Sequence, residues 1–144
     1  MLKGISPLIS PVLLKVLCEM GHGDEIVIAD ANFPTESIAK ETIAIRADGI
    51  PAPALLDAIL SLVPLDQYDA KNFILMEVVP GDTYVPEIWA DYERILHDHE
   101  PSAKIEHIER FAYYERAKKA YAVVATGESA QYANIIIKKG VVKA

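Results

Sequence analysis

The chain has 144 residues, of which 51% are apolar; that suits a single domain with a well-filled core. Fourteen basic against 21 acidic side chains leave a net charge of −7. This argues against nucleic acid or an anionic membrane surface as a partner, since both require a basic face. The apolar runs fall well short of the roughly 20 residues of a membrane span; two prolines and a lysine interrupt the N-terminus, which lacks the charged start, single apolar block and small-residue cleavage site expected of a secretory leader. A cytoplasmic location is the expectation.

In chain order, Ser10-Pro11 reads as an N-cap and first helical position ahead of "PVLLKVLCEM", with Gly21 placed to end the helix. The lone Cys18 has no internal disulfide partner and is expected to be a small buried apolar residue of that helix. "EIVIAD" and "ETIAIRADG" are strands. "PAPALLDAILSLVPL" is a helix with Leu55, Leu56, Ile59, Leu62 and Val63 on one face. "NFILMEVV" is a strand apolar enough to be covered on both faces, and Pro80-Gly81-Asp82 turns the chain after it. "PEIWADYERILHDHE" is a helix with Ile88, Tyr92, Ile95 and Leu96 as its apolar stripe. "AKIEHIER" alternates as a strand, and "YYERAKKA" is a short basic helix. "YAVVAT" and "NIIIKKG" complete the set, joined by the loop "GESAQYA". Six strands and about four interleaved helices predict an α/β fold, one domain over residues 1–144 with helices on both faces of a sheet.

His22 stands between Gly21 and Gly23, in front of the first strand. Glycine neighbours leave the imidazole uncrowded, and histidine exchanges protons near neutral pH. A helix cap with a solvated histidine beside it accounts for the same residues. Asp30 closes that strand; in α/β sheets strand ends form the ligand crevice, although "DANFP" is also rich in turn formers. A carboxylate at this place could accept sugar hydroxyls or orient the imidazole. His97 and His99, two apart, do not share a helix face, and His107 alternates with isoleucines in a strand, so none of the three marks a metal pair. No HExxH, CxxC, GxSxG or phosphate-loop pattern occurs, so no metal or nucleotide cofactor is expected. The last third gathers Arg110, Tyr113, Tyr114, Tyr121, Tyr132 and Asn134. Aromatic faces for C–H groups, with an amide, a guanidinium and a carboxylate for hydroxyls, suit a monosaccharide; core-edge tyrosines with wet hydroxyls are the alternative for Tyr113, Tyr114 and Tyr121.

The opening through "MGHGDEIVIADANFP", the middle "IRADG" and the closing "RFAYYERAKKAYAVVATGESAQYANIIIKKGV" resemble the L-fucose mutarotase and D-ribose pyranase family. The resemblance runs from residue 1 to about 142. It implies a three-layer α/β/α sandwich that assembles into rings, typically homodecamers, with monosaccharide sites between neighbouring subunits and no cofactor. His22 would be the proton donor of the GHGD motif. Asp30 and Arg110 would bind substrate, as would Tyr132, Ala133 and Asn134 in the Tyr-x-Asn segment. The ribose branch carries histidine at the place of Arg110, counted back from Thr126-Gly127-Glu128, so the chain resembles the fucose branch. The implied reaction interconverts the α and β anomers of L-fucose by assisted ring opening and closure. A pyranose–furanose interconversion of ribose, or a sugar-binding ring without catalysis, are the alternatives.

Overall fold

A computed structural model describes residues 1–144. The first helix, α1 (Pro11–Glu19), starts where Ser10 accepts the Leu13 N–H at 3.2 Å, and buries Leu13, Val16 and Leu17. That spacing settles Cys18: it lies beside the buried stripe, on the face shared with Lys15 and Glu19, and is exposed rather than buried. β1 (Glu25–Ala29) follows. A single helical turn, α2 (Thr35–Ile38), then precedes β2 (Ile43–Ala47). Four residues are too few to leave an apolar period, which is why the sequence pattern yields four helices and the fold has five.

α3 (Ala52–Leu60) and β3 (Phe73–Met76) come next. The strand is half as long as "NFILMEVV", because the chain leaves the sheet after Glu77 and turns at Gly81, whose φ of +90° only glycine adopts readily. α4 (Ile88–His99) buries the four residues of its predicted stripe. β4 (Glu106–Ile108) is short, and α5 (Arg110–Lys118) begins three residues earlier than "YYERAKKA" suggests. The cause is Glu109, whose carboxylate caps the helix by accepting the N–H groups of Phe111 at 2.9 Å and Ala112 at 3.0 Å. β5 (Ala122–Thr126) and β6 (Ile135–Lys138) end the chain.

All six strands form one sheet, in the order β2-β5-β1-β6-β3-β4. Five run parallel, and β6 runs antiparallel between β1 and β3. Ile26 and Ile28 of β1 join the larger core, where α1, α3 and α4 pack. Val27 and Ala29 of the same strand join the smaller core under α2 and α5. The sheet is thus covered on both sides, the expected α/β/α sandwich, and its central strands are apolar except at their ends, at Glu25, Thr126 and Lys138, for that reason. No helix is long and apolar enough to cross a membrane.

The reversed β6 decides where chemistry can gather. At the carboxyl edge of the sheet the parallel strands release their chains into loops, while β6 enters from its own preceding loop. Asp30, at the exit of β1, therefore meets Tyr132, Ala133 and Asn134, at the entry to β6, although a hundred residues of chain lie between them.

Candidate functional site

The carboxyl edge holds a cleft of about 270 Å3 between the exits of β1, β3 and β4 and the entry of β6, near the small end of the ~300–1,000 Å3 usual for small-molecule sites. Asp30, Arg110, Tyr132 and Asn134 all line it. Asn32, Gln131 and Tyr114 add polar groups, and Phe33, Met76 and Val79 supply an apolar wall.

Asp30 is only 7% exposed. Its backbone N–H donates to the Asn134 Oδ1 at 2.8 Å, which fixes the orientation of that amide and turns its NH2 group away from the strand. The Asn32 N–H donates to the Asp30 Oδ1 at 2.9 Å. Burial pushes the Asp30 carboxyl above its ordinary value, against the opposing pull of the Asn32 and Phe33 N–H groups. A desolvated carboxylate beside an amide with donors to offer is suited to sharing the hydroxyls of a polyol.

Arg110 is the first residue of α5, put there by the Glu109 cap. Its guanidinium lies 5.3 Å from the centre of the Phe111 ring and 5.7 Å from that of Tyr114, so two aromatic faces brace a five-donor fork at the mouth of the cleft. Tyr132 has a φ of +56°, the one non-glycine residue in the left-handed region. Three further hydrogen bonds, donated by Trp89, Tyr92 and Tyr132 itself, help hold this segment. The Trp89 Nε1–H donates to the Tyr132 carbonyl at 2.7 Å, the Tyr92 hydroxyl to the Ala133 carbonyl at 2.8 Å, and the Tyr132 hydroxyl to the Asp82 Oδ2 at 2.6 Å. Ala133 itself is wholly buried and faces the larger core, not the cleft; what it offers the site is backbone geometry.

His22 lies elsewhere. Gly23, with a φ of +88°, turns the chain into β1, and its N–H donates to the Lys139 carbonyl at 2.8 Å. This puts the histidine at the amino edge of the sheet. Five residues of β1 separate it from Asp30, about 16 Å at the ~3.3 Å rise of a strand. Within one chain Asp30 is therefore not its partner, contrary to expectation. That place is taken by Asp66, whose Oδ1 sits 3.0 Å from the His22 Nε2 and also accepts the Tyr68 N–H at 2.9 Å. Those contacts, the Tyr68 N–H foremost, hold the Asp66 carboxyl below its usual range. The Tyr68 ring stands 5.3 Å from the imidazole and is 71% exposed. The His22 side chain is 46% exposed, so it is presented outward on a fixed carboxylate.

The other histidines are engaged locally. His97 Nε2 lies 3.0 Å from the Ala103 carbonyl, His99 Nε2 2.7 Å from the Asp57 Oδ1, and His107 packs on Trp89 with ring centres 4.6 Å apart. No group of three or more His, Cys, Asp or Glu residues converges as a metal site would. Asp66 and Asp82 were not expected as members of either cluster. They sit 44 and 50 residues from the side chains they serve, and no local spacing announces such pairs.

A model of the RbsD / FucU transport protein family matches residues 3–142. The L-fucose mutarotase of Actinobacillus pleuropneumoniae serotype 5b (strain L20) is 55% identical over 142 residues, 98% of this chain and 97% of that protein. The crystal structure of FucU from Bifidobacterium longum superposes with a TM-score of 0.95 at 55% identity, covering 98% of this chain and all of that one. That of the fucose mutarotase of Streptococcus pneumoniae in complex with L-fucose superposes with a TM-score of 0.92 at 52% identity, covering 99% of this chain and all of that one.

Proposed function

Because this chain belongs to the RbsD / FucU transport protein family, we propose that it is an L-fucose mutarotase, an isomerase that interconverts the α and β anomers of free L-fucose. The observation that carries the reading is the meeting of Asp30, Arg110, Tyr132 and Asn134 around one small cleft, in a chain so close to a fucose-bound mutarotase. Asp30 and the Asn134 amide bind sugar hydroxyls, Arg110 adds a bidentate donor, and the apolar wall takes the C–H groups of the ring and its methyl.

Mutarotation breaks the bond between C1 and the ring oxygen and remakes it on the other face of C1. The ring oxygen gains a proton as the anomeric hydroxyl loses one. An acid and a base on opposite sides of the ring suffice, each contributing about 10²–10⁴-fold. The atoms of substrate and product are the same, so the reaction proceeds without a cofactor. His22 is the proton donor, and Asp66, against its Nε2, orients the ring. Its position at the amino edge, away from its own cleft, supports a site in which it serves the cleft of a neighbouring subunit. The protein accordingly works as a ring, a homodecamer of one-domain subunits, in the cytoplasm.

Saturation-transfer NMR on L-fucose tests this directly. Wild type should exchange anomers well above the buffer rate and His22→Ala should not. Wild-type exchange at the buffer rate would leave a sugar-binding ring as the better description.

A further inference from the structure

Resting on the reading of the carboxyl-edge cleft as the sugar site, we propose that Asp82 is a positioning residue that makes the Tyr132 hydroxyl a proton relay for the anomeric hydroxyl of the sugar. A phenol oxygen has one proton to donate and two lone pairs. The proton of Tyr132 goes to the Asp82 Oδ2 at 2.6 Å, and one lone pair takes the Val79 N–H at 3.3 Å. One acceptor position is left on an oxygen whose residue lines the cleft. A sugar hydroxyl meeting it must act as the donor, which is the direction that deprotonation needs.

The Asp82 carboxylate is itself fixed. Its Oδ1 accepts the Tyr84 N–H at 2.9 Å within the turn that follows Gly81. The Tyr132 hydroxyl, and after it that N–H, hold the Asp82 carboxyl below its usual range, so it is the ionised form that accepts the Tyr132 hydroxyl. The left-handed backbone of Tyr132 belongs to the same arrangement. Such a conformation is costly for a bulky residue and persists where the surroundings impose it, as the bonds from Trp89 and Tyr92 do here. The strained residue is thereby aimed with its oxygen between Asp82, Val79 and the cleft.

The step balances as follows. The anomeric O–H proton passes to the Tyr132 oxygen while the Tyr132 proton passes to the Asp82 Oδ2. The C1–ring-oxygen bond breaks as the anomeric carbon–oxygen bond becomes a carbonyl. The electron pair left on the ring oxygen takes up a proton from the acid. Rotation about C1–C2 and the reverse transfers close the ring on the other face, and Asp82 returns the proton.

The test measures anomer exchange of L-fucose for Asp82→Asn, Tyr132→Phe and the double variant, and for Asp82→Ala with and without added formate. Asparagine retains an acceptor for the Tyr84 N–H but takes up no proton. The expected result is a fall in kcat of about 10²-fold for Asp82→Asn with KM little changed, at the low end for a positioned acid–base group. The double variant should be no slower than Tyr132→Phe, since both act on one proton path. Formate should restore part of the Asp82→Ala rate and none of the Tyr132→Phe rate. Wild-type exchange with Asp82→Asn undiminished, or with the two single losses multiplying in the double variant, overturns this inference alone. A wild type that does not exchange fucose above the buffer rate overturns the mutarotase reading and this inference with it.

Discussion

Two tyrosines with no exposed surface should respond in opposite ways to the loss of one oxygen. Tyr92 on α4 donates its hydroxyl to the Ala133 carbonyl at 2.8 Å; Tyr113 on α5 has a buried hydroxyl with no partner. Burial pushes both phenols well above their ordinary range, so both are neutral and the comparison is between neutral groups. Tyr92→Phe removes a hydrogen bond and leaves the Ala133 carbonyl buried without its donor, a loss of about 1–3 kcal/mol. Tyr113→Phe removes an unmet polar group from an apolar site and should be neutral or stabilising by about 1 kcal/mol. At a urea m-value of about 2 kcal/mol/M, a loss of 2 kcal/mol lowers the midpoint by about 1 M, with m unchanged. Urea titrations of wild type and both variants at one protein concentration give the answer. Equal shifts for the two variants would refute the assignment of their hydroxyls. Because the Ala133 carbonyl lies between Tyr132 and Asn134, Tyr92→Phe should also raise the KM for fucose, and Tyr113→Phe should leave it alone.

Asp30→Asn should abolish sugar binding yet raise the melting temperature at neutral pH. The native carboxyl is held above its unfolded value, so the folded state binds its proton more tightly and the ionised form is destabilising. The gain from asparagine should be present above the raised native value and vanish below the unfolded value of about 3.9; a gain that grows on acidification would contradict it. Arg110→Lys should raise KM roughly tenfold or more with a smaller effect on kcat, because an ammonium replaces neither the fork nor its stacking on Phe111 and Tyr114; steady-state anomer exchange reads this. Gly127→Ala would place its Cβ 2.6 Å from the Gly49 backbone nitrogen, a contact that forces two loops apart at the carboxyl edge. A loss of about 1–3 kcal/mol in thermal or urea unfolding is expected, and an unchanged midpoint would show that the Gly49 turn yields freely.

The sheet and its covering were legible in the residues because period and composition report burial on two faces. "FILM" and "AVVAT" carry no polar side to hide except the Thr126 hydroxyl, which donates to the Ala29 carbonyl at 2.7 Å. The one-turn α2 was not legible, since Thr35–Ile38 is shorter than any period. The average burial of free cysteine predicts a buried Cys18, but the phase of its own helix turns it outward. Four side chains of the cleft could be named, but not that Ala133 turns inward, since a Tyr-x-Asn spacing does not reveal a left-handed residue at its start. The partner of His22 was out of reach for a different reason. The sheet topology, not the sequence distance, decides that Asp66 comes to the amino edge and Asp30 goes to the other.

The separation of His22 from Asp30 across β1 has a consequence for heredity on the shared-site reading. Each subunit lends its acid to one cleft and keeps its binding groups for its own. In a cell making intact and defective copies together, with intact fraction f, copies lacking either His22 or Asp30 leave a fraction f of the clefts whole. Copies lacking both leave f², because each spoils two clefts. At equal expression, both lesions on one allele leave a quarter of the clefts whole; the same two lesions on separate alleles also leave a quarter where subunits mix, although neither defective copy alone would leave any.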